Sequence, residues 1–317
     1  YFTDLSDLDL CWQIERNGAV VNEGRFLALT IKPQRRRSYT LPKEVIKNLD
    51  GICTLNLSFR QNRATEWSEL GYEVGFEQVK LDTPAVVPST FEHVLSSPMQ
   101  VLEDERRICV ICGERRYAVD RRKGTIISVT DNGKELLSAP IEPCIWRAPM
   151  DNDVLIKNRG GKKERGQGHF RIAKTECVSC KILSESNDTV EIGATLSIAK
   201  NSEKPFVTCE VVYRFLIHQG VFLSYDASVS PNCGVLSRFG ITVHMSEDCE
   251  YLRYFGKGPT ESYTDKQEAT HMGVYASTVS EHFEHYVRPQ ENMAHGGERH
   301  GTWIAGNQHR RKRKLQL

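Results

Sequence analysis

Two aspartates, Asp151 and Asp153, stand two residues apart with Asn152 between them. In extended backbone that spacing puts both carboxyls on one face, where each raises the other's pKa and the pair can serve as acid and base. The same residues also make an ordinary polar turn, in which Asp and Asn side chains accept local backbone N–H groups. Glu261 and Glu291 sit in turns bounded by Gly and Pro. A carboxylate there accepts backbone N–H groups or pairs with a cation. Lys257, Lys266 and Arg288 are near enough in sequence to be candidates, and we read both glutamates as structural turn carboxylates. His282, His285, His295 and His300 match no compact metal motif, and a solvated loop explains them better.

The ten cysteines include two Cys-x-x-Cys pairs, Cys109/Cys112 and Cys177/Cys180. Four thiolates would suit tetrahedral zinc. Both pairs lie in apolar, strand-like text, however, and residues i and i+3 of a regular strand face opposite sides. The expectation is therefore small buried hydrophobes and no metal, with disulfides the lesser alternative. Scattered thiols without a dense framework favour a reducing compartment, which reads as cytoplasmic.

The elements that must position these residues are strands. Leu8–Ile14 alternates apolar and polar and runs into Asn17-Gly18, the signature of a type I′ hairpin. Phe26–Ile31, Ile52–Phe59 and Tyr72–Val79 read as further strands, with Trp12 in the core. Strands at this spacing over residues 1–82 suggest a small immunoglobulin-like sandwich. Pro84, Pro88 and Pro98 among Ser and Thr mark a linker over 83–104. Residues 105–317 continue as strands, plain at Val190–Ile198, Phe206–Leu216, Val221–Val229 and Phe239–Met245, with no sustained helical period.

The composition, 39% hydrophobic and 26% charged, can fill cores and is too apolar for a disordered chain. No apolar run is long enough for a membrane-spanning helix. The chain begins with Tyr1 and has no basic-then-apolar leader, so we expect a piece of a longer protein. Lys and Arg number 42 against 41 Asp and Glu, and five of the cations lie in Arg310–Lys314, which leaves the remainder at four negative. That balance argues against nucleic acid as a partner. The basic stretch after Ala305 abandons strand alternation, as a one-base frame error near that residue would make it do.

Three stretches are unusual enough to carry a resemblance: Trp146-Arg147-Ala148-Pro149-Met150-Asp151-Asn152-Asp153, Phe255–Lys266 (FGKGPTESYTDK) and Tyr286–Asn292 (YVRPQEN). Together with Ala64–Tyr72 (ATEWSELGY), they resemble the C-terminal part of the large bacterial β-galactosidases of glycoside hydrolase family 2. The resemblance covers nearly the whole chain. It implies an all-β protein: the family's fourth domain, an immunoglobulin-like sandwich, then most of its fifth, a galactose mutarotase-like β-supersandwich truncated at its C-terminus.

Family members cleave β-galactosides with retention, using two glutamates on a (β/α)₈ barrel. Retaining chemistry needs its two carboxyls about 5–5.5 Å apart. The resemblance places that barrel before the point where this sequence starts, so it implies no catalytic residue in this chain. It also implies that Arg147, Asp151, Asn152 and Asp153 border the sugar site. The text departs from some members after Asp153, where Val154-Leu155-Ile156-Lys157 replaces a glycine-containing continuation. The chain itself needs no cofactor, and the parent enzyme's Mg and monovalent cation belong to the barrel. Its partners would be the N-terminal domains with that barrel, a β-galactoside such as lactose, and further copies in a homo-oligomer, with no membrane. The rival reading is a stand-alone carbohydrate-binding module, which requires an exposed aromatic platform.

Overall fold

The computed structural model describes residues 2–84, 98–146 and 168–282, apart from 201–203, 218, 232, 234, 235, 237, 261 and 263–266; of 304–309 and 313–316 it describes the backbone. The protein is all-β and antiparallel, and its described residues fall into two compact units.

The first unit comprises Tyr1–Pro88 together with Arg253–Ser277 and Gly297–Ala305. It carries a four-stranded sheet of order β2-β1-β3-β4, made of β1 (Leu8–Arg16), β2 (Ala19–Phe26), β3 (Cys53–Gln61) and β4 (Glu73–Lys80). Leu10, Trp12 and Ile14 point inward from β1, as their alternation demands. Asn17 and Gly18 take φ of 52° and 78°, the left-handed pair that a type I′ turn requires. So tight a turn sets where the second strand must begin. It zips Ala19–Phe26 onto β1, from Arg16↔Ala19 to Leu10↔Phe26. The expected strand at Phe26–Ile31 is thereby corrected: Ala28 turns to a φ of 45°, and only an isolated Leu5↔Leu29 bridge remains. Gly24 faces Trp12 across the ladder, where a Cβ would come within 2.5 Å of the indole Cζ2. A bare backbone is what lets the ring lie flat there.

In the second unit, β5 (Gln100–Glu103), β6 (Arg107–Cys112), β7 (Arg115–Asp120), β8 (Thr125–Asp131) and β9 (Lys134–Glu135) form a five-stranded meander. A short ladder joins β10 (Glu142–Cys144) to a strand met further on, and a single helical turn comes after it at Gly168–Arg171. The strands β11 (Lys174–Glu185), β12 (Thr189–Ala199), β13 (Val207–Leu216) and β14 (Gly220–Val229) make a second sheet in chain order. The partner of β10 is β15 (Gly240–Thr242).

Alternation is near perfect in β12 and β13, and their inner faces join those of β6–β8 in one core. Tyr117 meets Phe215 with ring centroids 5.1 Å apart, and the fully buried Tyr213 donates its hydroxyl to Gly124 O at 2.9 Å. That bond gives a buried phenol its required acceptor and ties the second sheet to the turn before β8.

The remaining strands are β16 (Tyr251–Gly258), β17 (His271–Thr278), β18 (Ile304–His309) and β19 (Arg313–Gln316). They form a sheet of order β17-β16-β18-β19. The basic tail, expected to lose strand character, pairs instead as a hairpin from Gly306↔Gln316 to His309↔Arg313.

Candidate functional site

Arg147, Asp151, Asn152, Asp153, Glu261 and Glu291 all lie outside the described residues. What the structure describes is the frame at the borders of two of these segments. Residues 147–167 are bracketed by Trp146 and by the helical turn at Gly168–Arg171. Arg171 lays its guanidinium over the Trp146 ring at 5.5 Å, a cation–π contact that pins the two ends together. Each end is also rooted in the core. Ile145 is buried before Trp146, and Phe170 packs edge-on against Phe206 at 5.4 Å. Cys144 donates its thiol to Trp146 O at 3.1 Å, with Arg238 Nη1 3.9 Å from the same sulfur.

Glu261 has an equally fixed neighbourhood, in the first unit. Ser262 is fully buried, and Thr270 Oγ1 donates to Gln267 O at 2.9 Å. Tyr254 donates its hydroxyl to Pro259 O at 3.3 Å. Lys257 gives its ammonium to Gln267 Oε1.

Two arrangements escape sequence reasoning. The first lies where the hairpin of β16 and β17 packs on the first unit's own sheet. Gln78 of β4 accepts from Met272 N at 2.7 Å and donates Nε2 to Met272 O at 2.8 Å and to Asn56 Oδ1 at 2.7 Å. One side-chain amide thus pairs both backbone groups of a residue 194 positions away. Beside it, Phe76 and His271 stack at 5.2 Å. Burial raises the Glu15 carboxyl above its ordinary value, against the opposing charge of His271 and a hydrogen bond from Asn56. Nothing in the local sequence around Gln78 signals a partner so distant.

The second concerns the thiols. All ten cysteines are free. Cys109 and Cys112 alternate in β6 as expected, with Cys112 inward. Cys177 and Cys180 do not, because the register of β11 slips at Val178: Cys177 pairs with Leu196, Ser179 with Thr195 and Cys180 with Ala194. Leu196 and Ala194 are both buried, and directly opposed residues share a face. Both cysteines therefore face the core. The bulge cancels the opposition that a regular strand would impose. Burial pushes the Cys180 thiol up to about 11 and raises that of Cys177 as well.

The first unit also has a depression of about 350 Å³, lined by Asp9, Arg25, Arg60, Gln61, Asn62 and Leu70 among others. Asp9 accepts Ala28 N–H at 2.8 Å. Close by in sequence, Trp67 is 66% exposed and Tyr72 52% exposed, edge to face at 5.8 Å. Trp12, by contrast, lies in the core.

Against known proteins, a family model described as "Beta galactosidase small chain" matches residues 112–307, and one described as "Beta-galactosidase, domain 4" matches residues 1–82. The chain is similar to a beta-galactosidase of Actinobacillus pleuropneumoniae, 32% identical over 93% of this chain and 29% of that protein. It also resembles a beta-galactosidase of Priestia megaterium, 28% identical over 92% of this chain and 27% of that one. "Beta-galactosidase 2" of Enterobacter cloacae is 26% identical, over 89% of this chain and 28% of its own. The chain spans less than a third of the length of these relatives.

Proposed function

Since the chain belongs to the beta-galactosidase small-chain family, whose model matches more than half of it, we propose that it is the non-catalytic C-terminal portion of a retaining β-galactosidase of glycoside hydrolase family 2. Its work is to support and border the sugar site of a (β/α)₈ barrel that hydrolyses terminal β-D-galactosides such as lactose. The observation that carries this reading is the order of the two matches, domain 4 at residues 1–82 followed by the small chain at 112–307.

The Trp146–Arg171 clamp supplies the chemistry of support. It joins the two borders of the segment holding Arg147, Asp151, Asn152 and Asp153, which supports a place for that segment at the sugar site. The full protein would be a cytoplasmic homo-oligomer whose Mg and monovalent cation reside in the barrel. Among the described residues no group of three or more His, Cys, Asp or Glu converges on a cation.

The test is a graft. The corresponding region of the Actinobacillus relative is replaced by this chain, and nitrophenyl β-galactoside hydrolysis is measured. The graft should be active, the relative lacking the region inactive, and this chain alone inactive. Arg147→Ala should lower kcat/KM about tenfold or more, the worth of one charge-assisted hydrogen bond, and Asn152→Ala by less, as the loss of a neutral one implies. Full activity of the relative without the region would overturn the reading.

The exposed, edge-to-face pair of Trp67 and Tyr72 favours a second reading, a carbohydrate-binding surface on the first unit, with rings on which a sugar could stack. Galactose or lactose should then quench tryptophan fluorescence, and Trp67→Ala should abolish that response. An unchanged response in the variant removes this reading.

A further inference from the structure

The slip at Val178 that turns Cys177 and Cys180 to one face also sets their separation. Their partners Leu196 and Ala194 are two residues apart on β12, about 6.7 Å at the rise of a strand. That spacing lies at the upper edge of the Cα separations a disulfide accepts, and both thiols are free. Two sulfurs leaning together can instead hold one atom between them. Zinc would require four ligands, and among the described residues no third His, Cys, Asp or Glu joins the pair. A soft ion content with two thiolates is monovalent copper.

We propose that Cys177 and Cys180 form a two-coordinate site for a single Cu(I) ion, bridged sulfur to metal to sulfur. On binding, each S–H bond breaks, two S–Cu bonds form and two protons leave to solvent. Copper stays monovalent and no electron moves.

The bridged unit carries one net negative charge, and a cation stands beside it. Arg121 donates Nη1 to Cys180 O at 3.3 Å, its charge reaches the Cys180 sulfur, and its buried Nε has no hydrogen-bond partner. A buried guanidinium N–H without an acceptor is costly, and added negative charge beside this guanidinium is favoured by it. The Asp120 charge opposes ionisation of both thiols, while Arg121 keeps its second contact with Glu103. Gly124, against whose Cα the Cys177 sulfur rests, closes the inner side: a Cβ there would come within 2.7 Å of it.

The experiment uses the full reduced chain, loaded anaerobically with Cu(I) from a bicinchoninate complex. Free thiols are then alkylated and mapped by mass spectrometry. Trypsin releases Thr175–Lys181, which holds Cys177 and Cys180 and no other cysteine. Alkylation of both should slow at least tenfold with Cu(I), while Cys109 and Cys112 react as before. Protection spread evenly over all thiols, or confined to one of the two, overturns the proposal. Cys177→Ser and Cys180→Ser should each release the retained copper equivalent, and Cys109→Ser should keep it. Retention by either of the first two also overturns it. The mapping on the unmutated chain decides the matter even if a variant fails to fold.

Discussion

Gln78 does with one amide what a neighbouring strand would do with its backbone, pairing both the N–H and the C=O of Met272. Gln78→Leu leaves both groups without partners at a part-buried position, so urea unfolding should show a loss of about 1–3 kcal/mol. Gln78→Glu keeps the acceptor, loses the donor and should fall between. In the second unit, Tyr213→Phe removes the hydroxyl bonded to Gly124 O in the core and should cost about 1–3 kcal/mol by the same measurement. Glu15 predicts a pH effect. Burial raises its folded pKa, so folding favours the protonated acid. The stabilisation is full below the unfolded value and is lost as pH rises through the folded one. Glu15→Gln removes that loss, and its melting temperature relative to the parent should climb between pH 4 and pH 7. A difference that stays constant with pH would show that Glu15 is not buried in this way. The burial of Trp12 is legible in the sequence and these polar contacts are not, because alternation reports burial whereas a bond between distant residues leaves no local trace.

At the scale of elements, strands are legible wherever the period of two runs on, as in β1, β12 and β13. Sequence reasoning fails where a turn or bulge resets the count. The Asn17-Gly18 turn is plain in the sequence, yet the strand expected at Phe26 starts at Ala19, because a two-residue turn leaves no room for a longer connection. The bulge at Val178 leaves no mark in composition and reverses the facing of Cys177 relative to Cys180. Gly24 marks the reverse situation, a strand residue chosen for what lies across the ladder. Gly24→Ala drives a methyl into the Trp12 ring and should destabilise the chain by about 1–3 kcal/mol through overpacking. Tryptophan fluorescence should shift as the indole is displaced, and an unshifted spectrum would contradict the packing.

At the scale of the molecule, the family motifs make the kinship legible without any fold, because each is a whole string of residues. The membership of the first unit is not legible, since Arg253–Ser277 belongs to it across more than 160 intervening residues. Gly18 shows how closely that distant hairpin is seated: a Cβ there would come within 2.3 Å of Val274 Cγ2. Residues 1–84 alone should therefore melt well below the same unit in the full chain, and adding a peptide of residues 251–278 should raise that temperature. No response to the peptide would show that the sheet is self-sufficient.

Such seating bears on biosynthesis. A ribosome adding about 5–20 residues each second needs roughly 10–40 s to travel the 194 positions from Gln78 to Met272. Throughout that interval the nascent sheet shows Phe76, Gln78 and the Gly18 turn to solvent without their cover. Of the two units, the one that emerges earlier waits for a hairpin made later, and the face awaiting that hairpin is the surface on which a chaperone would act.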